Sequence, residues 1–224
     1  MSLTAGLFNS GIFEGEIFNG GIFRTSSTVS NVLFSDDFTR QPDDPAPLSP
    51  WIASMGTWAV SGGVLQGSGN SNQYSYAYTG TSQWTDYTVQ GRVQMPTGSF
   101  GGGIGGRLDS ATGAHYGAWV YPAGSGGGSN VLKLWKLQGW TDIGADVPMQ
   151  QVNLPEVGTG WHTLQITFSG NRILVYYDET LMIDVTDNNY GSQPPYLSGG
   201  ISADWWTGAL PYTVVVDDIV VVTQ

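Results

Sequence analysis

The chain of 224 residues carries seven Lys plus Arg against 18 Asp plus Glu, a net charge of −11, and no cysteine. That charge opposes phosphate backbones and anionic headgroups, which sets nucleic acid aside as a partner, and the lack of cysteine removes disulfide frameworks and thiol chemistry. Charged residues make up 11% of the chain, well under the ~25% of ordinary soluble domains, and 33 glycines and nine tryptophans stand in their place.

The first residues, MSLTAGLFNS, lack the basic n-region and continuous apolar stretch of a signal peptide. No apolar run approaches the ~18 residues that span a bilayer, so membrane insertion is not expected and no export signal is visible.

Residues 6–25 read in fives without a gap, with Phe8, Phe13, Phe18 and Phe23 each preceded by Leu7, Ile12, Ile17 or Ile22. A period of five belongs to neither helix nor strand. Gly6, Gly11 and Gly21, two positions before Phe8, Phe13 and Phe23, and the turn-prone residues that follow the rings let the backbone bend and bring the rings to a common interior. The pattern resembles pentapeptide-repeat β-helices and the glycine-aromatic repeats near the ends of bacteriophage structural proteins. Its apolar residues at positions where outward polar ones are expected, and its four units, too few to stand alone, imply a homo-oligomeric contact such as a trimer, or docking onto a capsid or tail protein. An arm folded back on the main domain accounts for the same residues equally well. The expected organisation is an anchoring arm at 1–25, a connector at 26–34 and one domain at 35–224.

From SDDF onward, apolar–polar alternation is broken by Gly, Asn, Asp and Pro clusters. In DYTVQGRVQM, Tyr87, Val89, Gly91, Val93 and Met95 alternate with polar residues, which predicts a half-buried strand. WHTLQITF repeats this with Leu164, Ile166 and Phe168; RILVYYDETLMIDV reads as a hairpin turning near Asp178 and Glu179; YTVVVDDIVVV closes the chain as a long buried strand. No stretch has a convincing helical period. The expected class is all-β, an antiparallel two-sheet jelly-roll sandwich.

The ordered landmarks DDF at 36–38, Trp51, GTW at 56–58, GGVLQGSG from 62, DYTVQGRV from 86, GGIGGRLD, GWHTLQITFSGNRILVYYD, SGGISA and the terminal VVVDDIVVV together resemble the concanavalin A-like lectin/glucanase superfamily. That group includes laminin G-like domains, polysaccharide-binding modules and family 16 glycoside hydrolases, and the resemblance spans about residues 35–224. A hydrolase of this kind needs two cooperating carboxylates, and the family 16 motif resembles E-x-D-x-E on one strand. The domain holds only Glu156, beside Pro155, and Glu179, at a hairpin tip, so catalysis of that type is not expected.

His115 and His162 are the only histidines, with no H-x-x-x-H spacing for a transition metal. Both read first as ordinary polar residues, His162 at a surface and His115 in a loop, where it could also line a groove. GGGIGG at 101–106 contains G-x-G-x-x-G, but a turn follows where a nucleotide site needs a helix; the glycines mark a strand that another backbone or a ligand approaches closely.

In the last strand, strict alternation sets Asp217 on one face and Asp218 on the other, each among apolar neighbours. A bound hard cation would relieve that cost, as would solvent or backbone hydrogen bonds across a bulge. Similar jelly rolls hold a structural calcium, and the resemblance carries its ligands onto Asp37, the Gly63 carbonyl and Asp218. Trp119 and Tyr121 share a strand face, and Trp135, Trp140, Trp205 and Trp206 cluster later in the chain. Rings flanked by Asn, Asp and Gln suit stacking on sugars. Trp119, Tyr121, Trp140, Trp205 and Trp206 are the candidate ligand-binding residues, with core packing an equal reading for Trp140, Trp205 and Trp206; Trp51, Trp58, Trp84 and Trp161 fit core positions better. The expectation is a non-catalytic recognition or assembly protein, at a virion surface as a decoration, fibre or knob protein, or extracellular. A secreted polysaccharide-binding module is the alternative, and a glycan-cleaving enzyme with an atypical carboxylate pair comes third.

Overall fold

The computed structural model describes residues 31–40 and 47–224, and the pentads with their Phe and Ile residues lie outside these. The described residues form strands β1 (Val32–Asp36), β2 (Ile52–Met55), β3 (Thr57–Ser61), β4 (Val64–Ser68), β5 (Tyr74–Thr79), β6 (Tyr87–Gln94), β7 (Gly101–Leu108), β8 (His115–Tyr121), β9 (Val131–Leu137), β10 (Gln150–Asn153), β11 (His162–Ser169), β12 (Arg172–Tyr177), β13 (Thr180–Thr186), β14 (Gly200–Trp206) and β15 (Thr213–Thr223). One 3-10 turn, Tyr190–Ser192, is the sole helical element among them, and no helix is long and apolar enough to cross a membrane.

Two antiparallel sheets result. One runs β13-β12-β11-β6-β15-β4-β3, with β1 added on β15; the other runs β10-β9-β8-β7-β14-β5-β2. The first sheet begins at Val32, opposite Val222, so the expected connector at 26–34 ends inside a strand.

The core lies between the sheets. Leu65, Val89, Val93, Leu164, Ile166, Phe168, Val214 and Val216 from one sheet meet Ala77, Ile104, Ala118, Leu132, Leu134, Ile201, Ala203 and Trp205 from the other. The alternation read in β6 and β11 is the alternation observed, and burying these side chains is the main favourable term in folding. The β12–β13 hairpin turns at Asp178 and Glu179 with φ of 45° and 65°. Two left-handed residues in succession match the right-handed twist of the flanking strands. Across one end of the core, Lys136 forms an ion pair with Asp187 at 2.7 Å and donates to the carbonyls of Gln193 and Pro194, holding the segment that leads into β14.

The last strand departs from strict alternation. Its pairing with β6 shifts register between Asp217 and Val220, and Asp218 has φ of 49°, so β15 carries a bulge there. The inward set changes parity, from Val214 and Val216 to Ile219 and Val221. The two aspartates therefore do not occupy opposite apolar faces. Both meet Arg92, whose Nη2 donates to Asp217 Oδ2 at 2.6 Å and whose Nε lies 2.7 Å from Asp218 Oδ2.

Candidate functional site

A second hydrophobic cluster lies on the side of the seven-stranded sheet turned away from the core. It comprises Tyr76, Trp119, Tyr121, Val131, Trp135 and Leu137, with Tyr74, Phe100, Trp140, Ile143 and Trp206 packed against it. Strand parity explains the set. On β8 the residues Tyr116, Ala118 and Val120 enter the core, so His115, Gly117, Trp119 and Tyr121 share the other face. On β14 the same logic turns Ile201, Ala203 and Trp205 inward and leaves Ser202, Asp204 and Trp206 on the outer face.

The glycines of β7 let this face assemble. β7 runs between β8 and β14, and a Cβ on Gly105 would sit 2.3 Å from Ser202 Oγ and 2.7 Å from His115 Cδ2. Bare backbone there allows side chains of β8 and β14 to meet over it. The Trp119 indole N–H donates to Asp204 Oδ2, Ser202 Oγ donates to Asp204 Oδ1 at 2.9 Å, and His115 Nε2 lies 3.4 Å from Asp204 Oδ2. His115 Nδ1 must carry a proton, because its partner at 2.7 Å is the Gly113 carbonyl, which only accepts. Asp204 and His115 are 1% and 0% exposed, so this polar group sits beneath the aromatic layer and fixes the Trp119 ring.

Above it opens a cleft of about 230 Å³ lined by Tyr74, Phe100, Trp119, Tyr121, Lys133, Trp135, Ile143 and Trp206 with Gly127. Trp206 packs on Tyr74 with ring centroids 4.5 Å apart, and Trp119 stands 6.4 Å from both Tyr121 and Trp135. Trp135 Nε1 donates to the Tyr121 hydroxyl at 3.0 Å. Burial pushes the Tyr121 phenol up, against the opposing effect of that bond, so the hydroxyl stays protonated at neutral pH. Tyr121 itself is held between Gly101 and Gly127, where an added Cβ would approach its ring to 2.5 and 2.3 Å.

Several expected residues fall where the sequence placed them, and others do not. Trp119, Tyr121 and Trp206 line the cleft. Trp140 comes from the β9–β10 connection and covers Tyr76 and Tyr78 at 5.3 and 5.4 Å, beside the cleft. Trp205 is corrected: it is 0% exposed in the core, 4.3 Å from Trp58, and no ligand reaches it. His115 is a buried strand residue rather than a loop residue. Trp161 is half-buried with the Arg92 guanidinium 5.0 Å over its ring, whereas Trp51 and Trp58 are core as expected. Tyr74, Phe100, Lys133, Ile143 and Asp204 were not singled out from the sequence. The GGGIGG run was the available signal for Asp204, since it marks the strand over which that carboxylate is reached.

The resemblance carried a structural calcium onto Asp37, the Gly63 carbonyl and Asp218. Asp37 and Asp218 line one surface depression, and Gly63 is not part of it. Asp218 is engaged by Arg92, and Asp37 Oδ1 accepts from the Thr39 amide at 3.0 Å. No cluster of three or more acidic, His or Cys side chains suited to a metal occurs among the described residues. Arg92 supplies the compensating charge that the aspartates of β15 require.

No protein-family model matches the sequence, and no curated protein matches it. Solved structures do. Carbohydrate binding module CBM66 from Bacillus subtilis superposes with a TM-score of 0.60 at 20% identity, over 75% of this chain and 92% of that one. The laminarinase catalytic domain from Thermotoga maritima MSB8 gives 0.62 at 11% identity, over 87% and 98%. A Bacillus subtilis protein of galectin-like fold gives 0.61 at 9%, over 86% and 97%. The fold is the concanavalin A-like jelly roll. Within that jelly roll the aromatic cleft lies on the outer face of the seven-stranded sheet, and Asp204 is the only acidic residue in that sheet's strands.

Proposed function

We propose that this jelly roll is a carbohydrate-binding module that holds a sugar in the cleft between Tyr74, Trp135 and Trp206 without cleaving it. The observation that carries this reading is the cleft itself, with six aromatic residues among its lining. Flat apolar rings pack against the C–H faces of a pyranose, and polar groups at the margin meet its hydroxyls. Likeness in fold to a carbohydrate binding module agrees with this reading.

A glycosidase of this fold needs two carboxyl groups about 5–5.5 Å apart for retention or about 6.5–9.5 Å apart for inversion. Asp204 stands alone on its sheet, buried, with Trp119, Ser202 and His115 directed at it. That environment suits a structural carboxylate, so binding is favoured over turnover. A virion role rested on the pentads, outside the described residues, and nothing in the cleft favours it over a module acting on extracellular polysaccharide.

The test is retention of the protein on a panel of polysaccharides in affinity electrophoresis, run beside an assay for new reducing ends. Retention that Trp206→Ala abolishes, with no reducing ends formed, supports the reading. Release of reducing ends that Asp204→Asn abolishes would replace it with an enzyme.

A further inference from the structure

The described residues include six Lys and Arg side chains, and five of them pair with aspartate: Arg40 with Asp36, Arg92 with Asp217 and Asp218, Arg107 with Asp86, Lys136 with Asp187, and Arg172 with Asp184. Lys133 is the exception. In a chain with 18 acidic residues, the single described cation without a carboxylate partner lines the aromatic cleft.

Its surroundings are specific. The ammonium lies 4.5 Å from the Tyr121 ring centroid and 5.6 Å from that of Trp135, and it donates to the Gly127 carbonyl at 2.6 Å. An ammonium has three N–H donors, so one hydrogen bond leaves two to be satisfied. Burial holds Lys133 below its ordinary value. A half-buried cation facing π-surfaces is partly compensated, but an anion in contact gives more, because water is largely displaced from such a site. The cleft is about 230 Å³, below the ~300–1,000 Å³ of pockets for drug-sized ligands. It has room for one sugar ring.

Resting on the carbohydrate-binding reading, we infer that the cleft is selective for an acidic sugar, a ring bearing a carboxylate, with Lys133 as its anion anchor and Trp206, Tyr74 and Trp135 as the stacking surfaces. The overall charge of −11 does not oppose this. At physiological ionic strength the field of distant charges is screened over about 8 Å, so the contacting cation decides the local preference.

The experiment uses the whole chain and follows the tryptophan indole N–H signals by NMR. The ligands are methyl glycosides of glucuronic and galacturonic acid, with methyl glucoside and methyl galactoside as uncharged counterparts. The expected result is that an acidic glycoside binds about tenfold or more tightly than its neutral counterpart. Lys133→Gln, which keeps an N–H for the Gly127 carbonyl, should erase the difference, and Lys133→Arg should keep it. Should Lys133→Gln fail to fold, the comparison of ligands on the unmodified protein still decides. Equal binding of acidic and neutral sugars, lost in Trp206→Ala and unaffected by Lys133→Gln, overturns the acidic-sugar inference and leaves the binding module standing. Absence of any response to sugars, together with no retention on polysaccharides, overturns both.

Discussion

Trp205 and Trp206 are consecutive on β14 and face opposite ways: Trp205 is 0% exposed and meets Trp58 in the core at 4.3 Å, while Trp206 packs on Tyr74 at 4.5 Å beside the cleft. Their truncations should therefore separate cleanly. Trp205→Ala leaves a large core cavity and should cost about 3–5 kcal/mol, a fall in melting temperature of roughly 10 °C. Trp206→Ala should leave thermal unfolding nearly unchanged and weaken sugar binding by roughly 30-fold, about 2 kcal/mol. Calorimetry and ligand titration on the two variants check both outcomes; equal loss of stability in both would contradict the assignment of faces.

Gly67 of β4 makes the room that Trp205 uses. A Cβ there would stand 1.7 Å from Trp205 Cη2 and 2.8 Å from Trp58 Cε3. Gly67→Ala should overpack the core and lower stability by about 1–3 kcal/mol, measured by urea unfolding, and Trp205→Phe should recover part of the loss.

The acid limb of stability should depend on Asp36. Burial pushes its carboxyl up, but the hydrogen bonds from Arg40 and the Phe38 amide, the charge of Arg40 and the Trp51 indole together hold it below the ordinary carboxylate value. The folded state then binds that proton less readily than the unfolded chain. The stabilisation is fully present above the ordinary carboxylate value and is lost as pH falls through the lower folded one. Asp36→Asn should be less stable than the unmodified protein at pH 7, with the gap closing on acidification. Urea midpoints at several pH values report this directly, and a gap that widens in acid would refute the sign.

With Arg92 already on Asp217 and Asp218, a chelator should leave the melting temperature unchanged, and Arg92→Gln should lower it. Removing one partner leaves charges uncompensated at the bulge of β15. A drop in chelator that Asp218→Asn abolishes would establish the calcium expected from the resemblance.

The pentads invite a separate measurement. Self-association through Phe8, Phe13, Phe18 and Phe23 predicts that the full chain sediments as a symmetric oligomer and that a chain beginning at Asn31 sediments as a monomer. Two monomers would remove the anchoring role.

Much of the fold was legible because alternation is a local property. Each residue of β6, β11 and β12 announces its face by its neighbours two positions away, and the hairpin at Asp178 and Glu179 is punctuated by its own turn. The aromatic composition likewise drew notice to Trp119, Tyr121 and Trp206, which line one cleft. Trp205 could not be told from Trp206 until the inward register of Ile201 and Ala203 was known.

What the amino-acid order determined by itself is the two-sheet class, the near absence of helix among the described residues, and the lack of a strand-borne pair of glutamates in the domain from residue 35, since these follow from local periodicity and composition. What only the tertiary structure decided is which groups meet. A single extra residue in β15 moved both aspartates onto Arg92, the bare backbone of β7 let Trp119 and His115 reach Asp204 from β8, and Lys133 came to rest against Tyr121, Trp135 and the Gly127 carbonyl instead of a carboxylate. Such pairings depend on strand order and on displacements of a few ångströms between residues about a hundred positions apart, and no local pattern encodes them.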